Sequence, residues 1–149
     1  MTRSYWFASF NPETWDEFLA HGGDVVGFSE RRRVSVDRIR PGDYLLSYLI
    51  QVSRFVGLLE AVGEPFFDTQ EIWKSRTYPI RVPVRTILAL GVQQGIPMQK
   101  VRKKLSIFRG LDNPSYWSTR IQTSPTRWSA EDAEVIVTAL KEAGEGQTS

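Results

Sequence analysis

Residues 41–63 read PGDYLLSYLIQVSRFVGLLEAVG, and they set the kind of fold the chain can adopt. Pro41-Gly42-Asp43 is a turn signal, because proline presets one backbone dihedral and glycine tolerates the conformations that other residues avoid. After it, Tyr44 to Ile50 and Arg54 to Val62 are two β-favouring apolar runs whose order predicts a hairpin. Both runs are apolar on each face, which fits a closed barrel better than a sheet with one side in water. Gly57 and Gly63 then mark bends or points of close packing.

Outward from this hairpin the elements follow from local rules. Arg3 to Phe10 is ring-rich and β-favouring, and it ends at Asn11-Pro12, a cap residue followed by the residue best suited to a first helical position. In the helix that starts there, Trp15, Phe18 and Leu19 share an apolar face, and Gly22-Gly23 stops it. Asp24 to Phe28 reads as a short strand, and Ser29 opens a charged connection through Arg40. Beyond the hairpin, Glu64 to Thr77 is a loop carrying Phe66, Phe67 and Trp73. Tyr78 to Leu90 resumes as a strand, with Pro79 and Pro83 predicting an edge or kinked one. The basic segment MQKVRKKL predicts a short helix. Ser129 and Asp132 match a capping box ahead of a terminal helix with the stripe Ala133, Ile136, Val137 and Leu140. No repeat or linker interrupts the 149 residues. The expectation is therefore an α+β fold, a small β-barrel with surrounding helices, as a single domain over 1–143 with a flexible tail at 144–149.

Composition removes several kinds of chemistry. The chain has no cysteine and a single histidine, His21, which excludes disulfides, thiolate catalysis and cysteine- or histidine-rich metal sites. His21 falls at the end of the first helix, where a surface role near the helix dipole is the simpler reading. No H-E-x-x-H, D-x-D, G-x-S-x-G or glycine-rich phosphate loop appears, so neither a metal, a cofactor nor a catalytic residue is expected. The N-terminus predicts neither a signal peptide nor a membrane span, leaving a cytoplasmic protein as the expectation. Net charge is only +2, yet cations cluster at Arg31, Arg32 and Arg33 and again at Lys100, Arg102, Lys103, Lys104 and Arg109. Local clusters of this kind attract phosphate.

Residues 26–33, VGFSERRR, place a ring, a hydroxyl, a carboxylate and three guanidinium groups in succession. Such a set can stack on a base, probe its edge and hold the flanking phosphates, although a solvated turn explains three adjacent arginines nearly as well. Trp73 is a large ring in a polar loop, a placement associated with binding. Phe28 and Trp73 could sandwich a planar base, with Asn11 and Ser29 supplying edge hydrogen bonds. Trp15 is carried as a further wall, though its helical face favours the core. Trp117 is carried as another, with Trp128 in similar turn-rich surroundings. Arg31, Arg32, Arg33, Lys103, Lys104 and Arg109 are the phosphate-binding candidates.

The ordered series SYWFASFNPETW, VVGFSERRR, IRPGDYLLSY, RFVGLLEAVGEPFFD, EIW and TYPIRVPVRTI, followed by KKLSIF, YW and SAEDAEVI, resembles the EVE domain from about Tyr5 to Leu140. That family belongs to the PUA-like superfamily and is related to the YTH domain. The resemblance implies a non-catalytic nucleic-acid-binding module, with a modified base such as 5-methylcytosine, or another modified cytosine or adenine, held in an aromatic pocket of a small barrel. Its partners would be DNA or RNA carrying that base and a partner nuclease, with no membrane. In YTH relatives a Trp-Ser pair follows a short strand, and Phe28-Ser29 occupies that place here, a departure that weakens stacking. Their second cage tryptophan corresponds to Trp73 and their edge-reading asparagine to Asn11. Two alternatives remain at this level. One is a hydrolase acting on RNA or modified nucleosides, similar to the ASCH group, with Lys74, Glu71 and Tyr78 sharing acid-base work. The other is an interaction module whose basic patch binds an acidic partner.

Overall fold

The computed structural model describes residues 3–108 and 124–147, which form an α+β fold around one curled sheet. β1 (Tyr5–Phe10) leads to α1 (Pro12–Ala20), β2 (Val25–Phe28), a 3-10 turn over Glu30–Arg32 and α2 (Arg33–Val36). β3 (Tyr44–Leu49), β4 (Arg54–Ala61), β5 (Phe66–Phe67) and β6 (Ile80–Ala89) follow. β7 (Ile96–Pro97), α3 (Met98–Val101), β8 (Thr126–Trp128) and α4 (Ala130–Gln147) complete the described strands and α-helices. The strand order is β2-β6-β4-β3-β1-β8, with β5 joined to β6 and β7 to β4. β1 and β3 run parallel, while the other pairs are antiparallel.

The central hairpin forms as its sequence predicts, with Leu46 opposite Leu58 and Tyr44 opposite Glu60. Its two apolar faces have a different cause from the expected closure. Leu45, Leu49, Val56 and Leu59 pack with Trp15 and Phe18 of α1 inside the curl. Leu46, Tyr48, Phe55 and Leu58 pack on the opposite side with Met98 of α3 and Ile136 and Leu140 of α4. Helices cover both faces, so the strands are apolar throughout although the sheet is a half-barrel. Among the described residues, the end strands β2 and β8 are not paired with each other.

Four further expectations change. β6 is an internal strand between β2 and β4 rather than an edge. Pro83 is tolerated there because its nitrogen faces the side on which its carbonyl accepts the Val62 N–H at 2.9 Å, and on that side β6 pairs with β5 at residues 80–81 and with β4 from residue 84, so the missing amide falls in the gap where the ladder changes partner. The loop expected over Glu64 to Thr77 contains the short strand β5. Only half of the capping box exists: Ser129 Oγ accepts the Asp132 N–H at 3.2 Å, but the buried Asp132 carboxylate turns to Ser106 N at 2.7 Å and Ser106 Oγ at 2.9 Å. That carboxylate ties the segment after α3 to the start of α4. The helix itself continues to Gln147, so residues 144–147 are helical where a tail was expected, and Gly144 packs against Leu88. No helix among the described residues is long and apolar enough to cross a membrane. No group of three or more histidines and carboxylates among them could hold a metal ion.

Candidate functional site

The ends of β1 and β2 and the loop before β6 meet around one cavity. Asn11 caps α1, its Oδ1 accepting the Thr14 N–H at 2.8 Å while Thr14 Oγ1 accepts the Asn11 N–H at 3.0 Å. This reciprocal pair fixes the amide, so Nδ2 is the group that Asn11 can still offer a ligand. At the end of β2, Phe28 is packed by the core and Ser29 begins the 3-10 turn without using its hydroxyl as a cap. Among the described residues no cap bond occupies the Ser29 oxygen, which leaves it open to an edge contact.

Trp73 is held from three directions. Its Nε1–H donates to the Thr14 carbonyl at 3.2 Å, and its ring meets Tyr78 edge to face with centroids 5.7 Å apart. Its six-membered ring lies over the backbone of Gly27, where a Cβ would come within 2.6 Å of Cζ3. Only glycine leaves room for this approach. Next to it, the Lys74 N–H donates to Glu17 Oε2 at 3.0 Å, fastening the loop to α1. Although it lies in a loop, Trp73 is only 3% exposed. Tyr78 itself sits at φ 47°, a left-handed conformation unusual for a ring-bearing residue.

The cavity has a volume of about 200 Å³ and is lined by Phe28, Trp73, Tyr78 and Phe10 as rings, with Asn11, Ser29, Ser9, Thr14 and Ser124 as polar groups. Gly27 completes the wall, while Arg32 and the exposed Ile50 stand in the lining as well. The structure therefore brings Asn11, Phe28, Ser29, Trp73 and Arg32 together around one space. Sequence reasoning missed Tyr78 and Phe10 as walls, together with Ser9, Thr14, Gly27, Ile50 and Ser124. Tyr78 reaches the cavity through its left-handed backbone, for which a lone tyrosine gives no sequence signal. Thr14 had one: it stands three residues after Asn11, the reciprocal position of a capping box.

Other candidates lie elsewhere. Trp15 is buried against Phe10 and Phe18, its ring stacked on Phe18 at 5.2 Å and its tip on Gly57, so it belongs to the core and does not line the cavity. The apolar face of α1 turns inward and takes the indole with it. Trp128 is also core, stacked on Phe7 at 5.3 Å. Arg31, Arg33, Lys103 and Lys104 are exposed and do not line the cavity. The two lysines belong to the 3-10 turn after α3, a segment that covers the outer face of the sheet. Trp117 and Arg109 lie outside the described residues. The hydrolase candidates are not assembled: Glu71 and Lys74 border a groove beside α1 with Glu13, Glu17 and His21, whereas Tyr78 faces the ring-lined cavity.

No family model matches the chain. A UPF0310 protein of Pyrococcus abyssi is 30% identical over 149 aligned residues, spanning 92% of this chain and 99% of that protein. The chain belongs to the UPF0310 family. Its fold is similar to that of the Pho92 YTH domain, solved in complex with m6A, at a TM-score of 0.69 and 12% identity over 93% of this chain and 84% of that one. The YTH domain of Zygosaccharomyces rouxii MRB1 protein, in complex with N6-methyladenosine RNA, gives a TM-score of 0.64 and 15% identity over 93% and 86% of the two chains. At these identities the likeness establishes a YTH-like fold for this UPF0310 chain.

Proposed function

We propose that this chain is a non-catalytic reader that holds one modified base of a nucleic acid in the cavity between Phe28, Trp73 and Tyr78. The observation that carries the reading is the lining itself, with rings on the walls and hydrogen-bonding groups of fixed polarity at the edge. A space of about 200 Å³ is smaller than the roughly 300–1,000 Å³ of drug-sized pockets, so it suits a base rather than a whole nucleotide. The YTH domains that share the fold were solved with N6-methyladenosine, which supports a methylated base as ligand and RNA as one carrier. The EVE-like sequence series supports the same reading and keeps methylated cytosine in DNA as the other.

A second groove, of about 410 Å³, extends the path that a bound strand would follow. Arg32 lines the base cavity, and Ser35 and Arg38 follow at helical spacing along the groove. Ser124 borders the cavity, while its neighbours Pro125, Thr126 and Arg127 border the groove. These linings support Arg32, Arg38 and Arg127 as guanidinium groups that take the flanking phosphates. Stacking contributes about 1–3 kcal/mol per base whatever its modification. Selectivity then comes from the fit of the added methyl group, about 0.8 kcal/mol by buried area alone and up to a 10–200-fold preference in a well-shaped pocket.

Titration of methylated and unmodified single-stranded DNA and RNA oligonucleotides tests the reading. Wild type is expected to prefer a methylated strand, and Trp73→Ala to lose that preference. Arg38→Ala should weaken all strands alike and flatten the salt dependence. Equal affinity of wild type for every strand would remove the reader function.

A further inference from the structure

We propose that Arg81 is the positioning residue that fixes Trp73 as a wall of the cavity, by gripping the loop that carries it. Its meaning for base recognition rests on the reader function above, but the grip is a property of the protein alone. On β6, Arg81 stands opposite Gly27 of β2 on one side and Phe66 of β5 on the other. It therefore shares the sheet face on which Trp73 lies over Gly27. For an arginine it is unusually enclosed, at 1% exposure.

Every nitrogen of its guanidinium has a partner in residues 68–78. Nη2 donates to the carbonyls of Gln70 and Thr77, the latter at 3.1 Å, and Nε donates to the carbonyl of Tyr78 at 3.2 Å. Nη1 lies 3.4 Å from Asp68 Oδ2. These partners bracket Trp73, with Asp68 and Gln70 before it and Thr77 and Tyr78 after it. The segment between β5 and β6 has no strand or helix to satisfy its carbonyls. One planar fork supplies the donors from both sides of the loop at once, which an ammonium group with a single centre cannot do. The same guanidinium carbon is 5.5 Å from the Trp73 ring centroid, within cation–π range. Arg81 does not line the cavity, so it acts on a ligand only through Trp73 and Tyr78.

Fluorine NMR of protein labelled with 5-fluorotryptophan tests the grip without any ligand. The line of Trp73 is assigned by its loss in Trp73→Phe. In Arg81→Lys, which keeps a cation beside Asp68, the Trp73 line is expected to move or broaden while those of Trp15 and Trp128 stay in place. Asp68→Asn, which leaves the three carbonyl bonds, should hold the Trp73 line near its wild-type position. An unmoved line in Arg81→Lys overturns the proposal, as does a collapse of all tryptophan lines together in that variant. A line displaced as far in Asp68→Asn as in Arg81→Lys also overturns the carbonyl grip. In titrations with free methylated and unmodified nucleosides, Arg81→Lys should bring the preference ratio towards one. If wild type shows no preference, the reader function falls, and the NMR result still decides the role of Arg81.

Discussion

Asn11 divides its amide between two tasks. Oδ1 is committed to the Thr14 N–H at the start of α1, and turning the amide over would set an N–H₂ group against an N–H. The polarity of the contact offered to a ligand is therefore fixed: Asn11 donates, and any ligand group set against it has to accept. Asn11→Asp keeps a good cap but replaces that donor with a charged acceptor. It is expected to leave the urea midpoint near wild type while sharply weakening binding to a methylated oligonucleotide. Asn11→Ala removes both functions and should also cost about 1 kcal/mol of stability. Paired denaturation and titration of the two variants separate the cap from the contact, and an Asp variant that binds like wild type would take Asn11 out of the base edge. Ser29→Ala is the simpler case, because its hydroxyl caps nothing. It should change affinity and leave stability as it was.

At the level of elements, β2 and the loop before β6 fit together through the absence of a side chain. A Cβ at Gly27 would lie 2.6 Å from Trp73 Cζ3 and 2.7 Å from Tyr78 Cβ, so Gly27→Ala must push the loop outward. Overpacking of this kind costs about 1–3 kcal/mol, and calorimetry should show that loss together with reduced preference for a methylated base. Unaltered preference in Gly27→Ala would show that the tryptophan wall tolerates displacement. The same contact marks the limit of what the sequence reveals. The β3–β4 hairpin, the start of α1 and the stripe of α4 are legible because turn chemistry, capping and periodicity act between near neighbours. Phe28, Trp73 and Asn11 are legible as candidates by residue type and place. The seating of Trp73 on Gly27 and the left-handed Tyr78 are not, since both depend on partners distant in the chain. Short strands such as β5 and β7 are too brief to show a period, and Pro83 misleads about β6 because it sits where the ladder changes partner.

For the molecule as a whole, two apolar layers share one sheet, and Tyr48 lies in the outer one. Burial of its hydroxyl raises its pKa above the ordinary value of 10.0, and a hydrogen bond with Ser53 offsets part of that rise. Tyr5 is raised too, by its hydrogen bond to Glu134. In each case the unfolded chain releases the proton first. The associated stability is therefore intact below about pH 10 and is lost as pH climbs from there towards the folded value. Thermal midpoints should fall in strongly alkaline buffer, and Tyr48→Phe should lessen that fall. A fall equally steep in the variant would place the alkaline limit elsewhere. The cavity belongs to the same scale, for its lining is drawn from residues 9–14, 27–32, 50, 73–78 and 124. No local piece of the chain contains the site, so a ligand seated there binds the folded chain alone. At a hundred times its Kd such a compound would add about 2.7 kcal/mol to the folding equilibrium. The temperature at which the chain unfolds thereby becomes a gauge of whether a given nucleoside occupies the cavity.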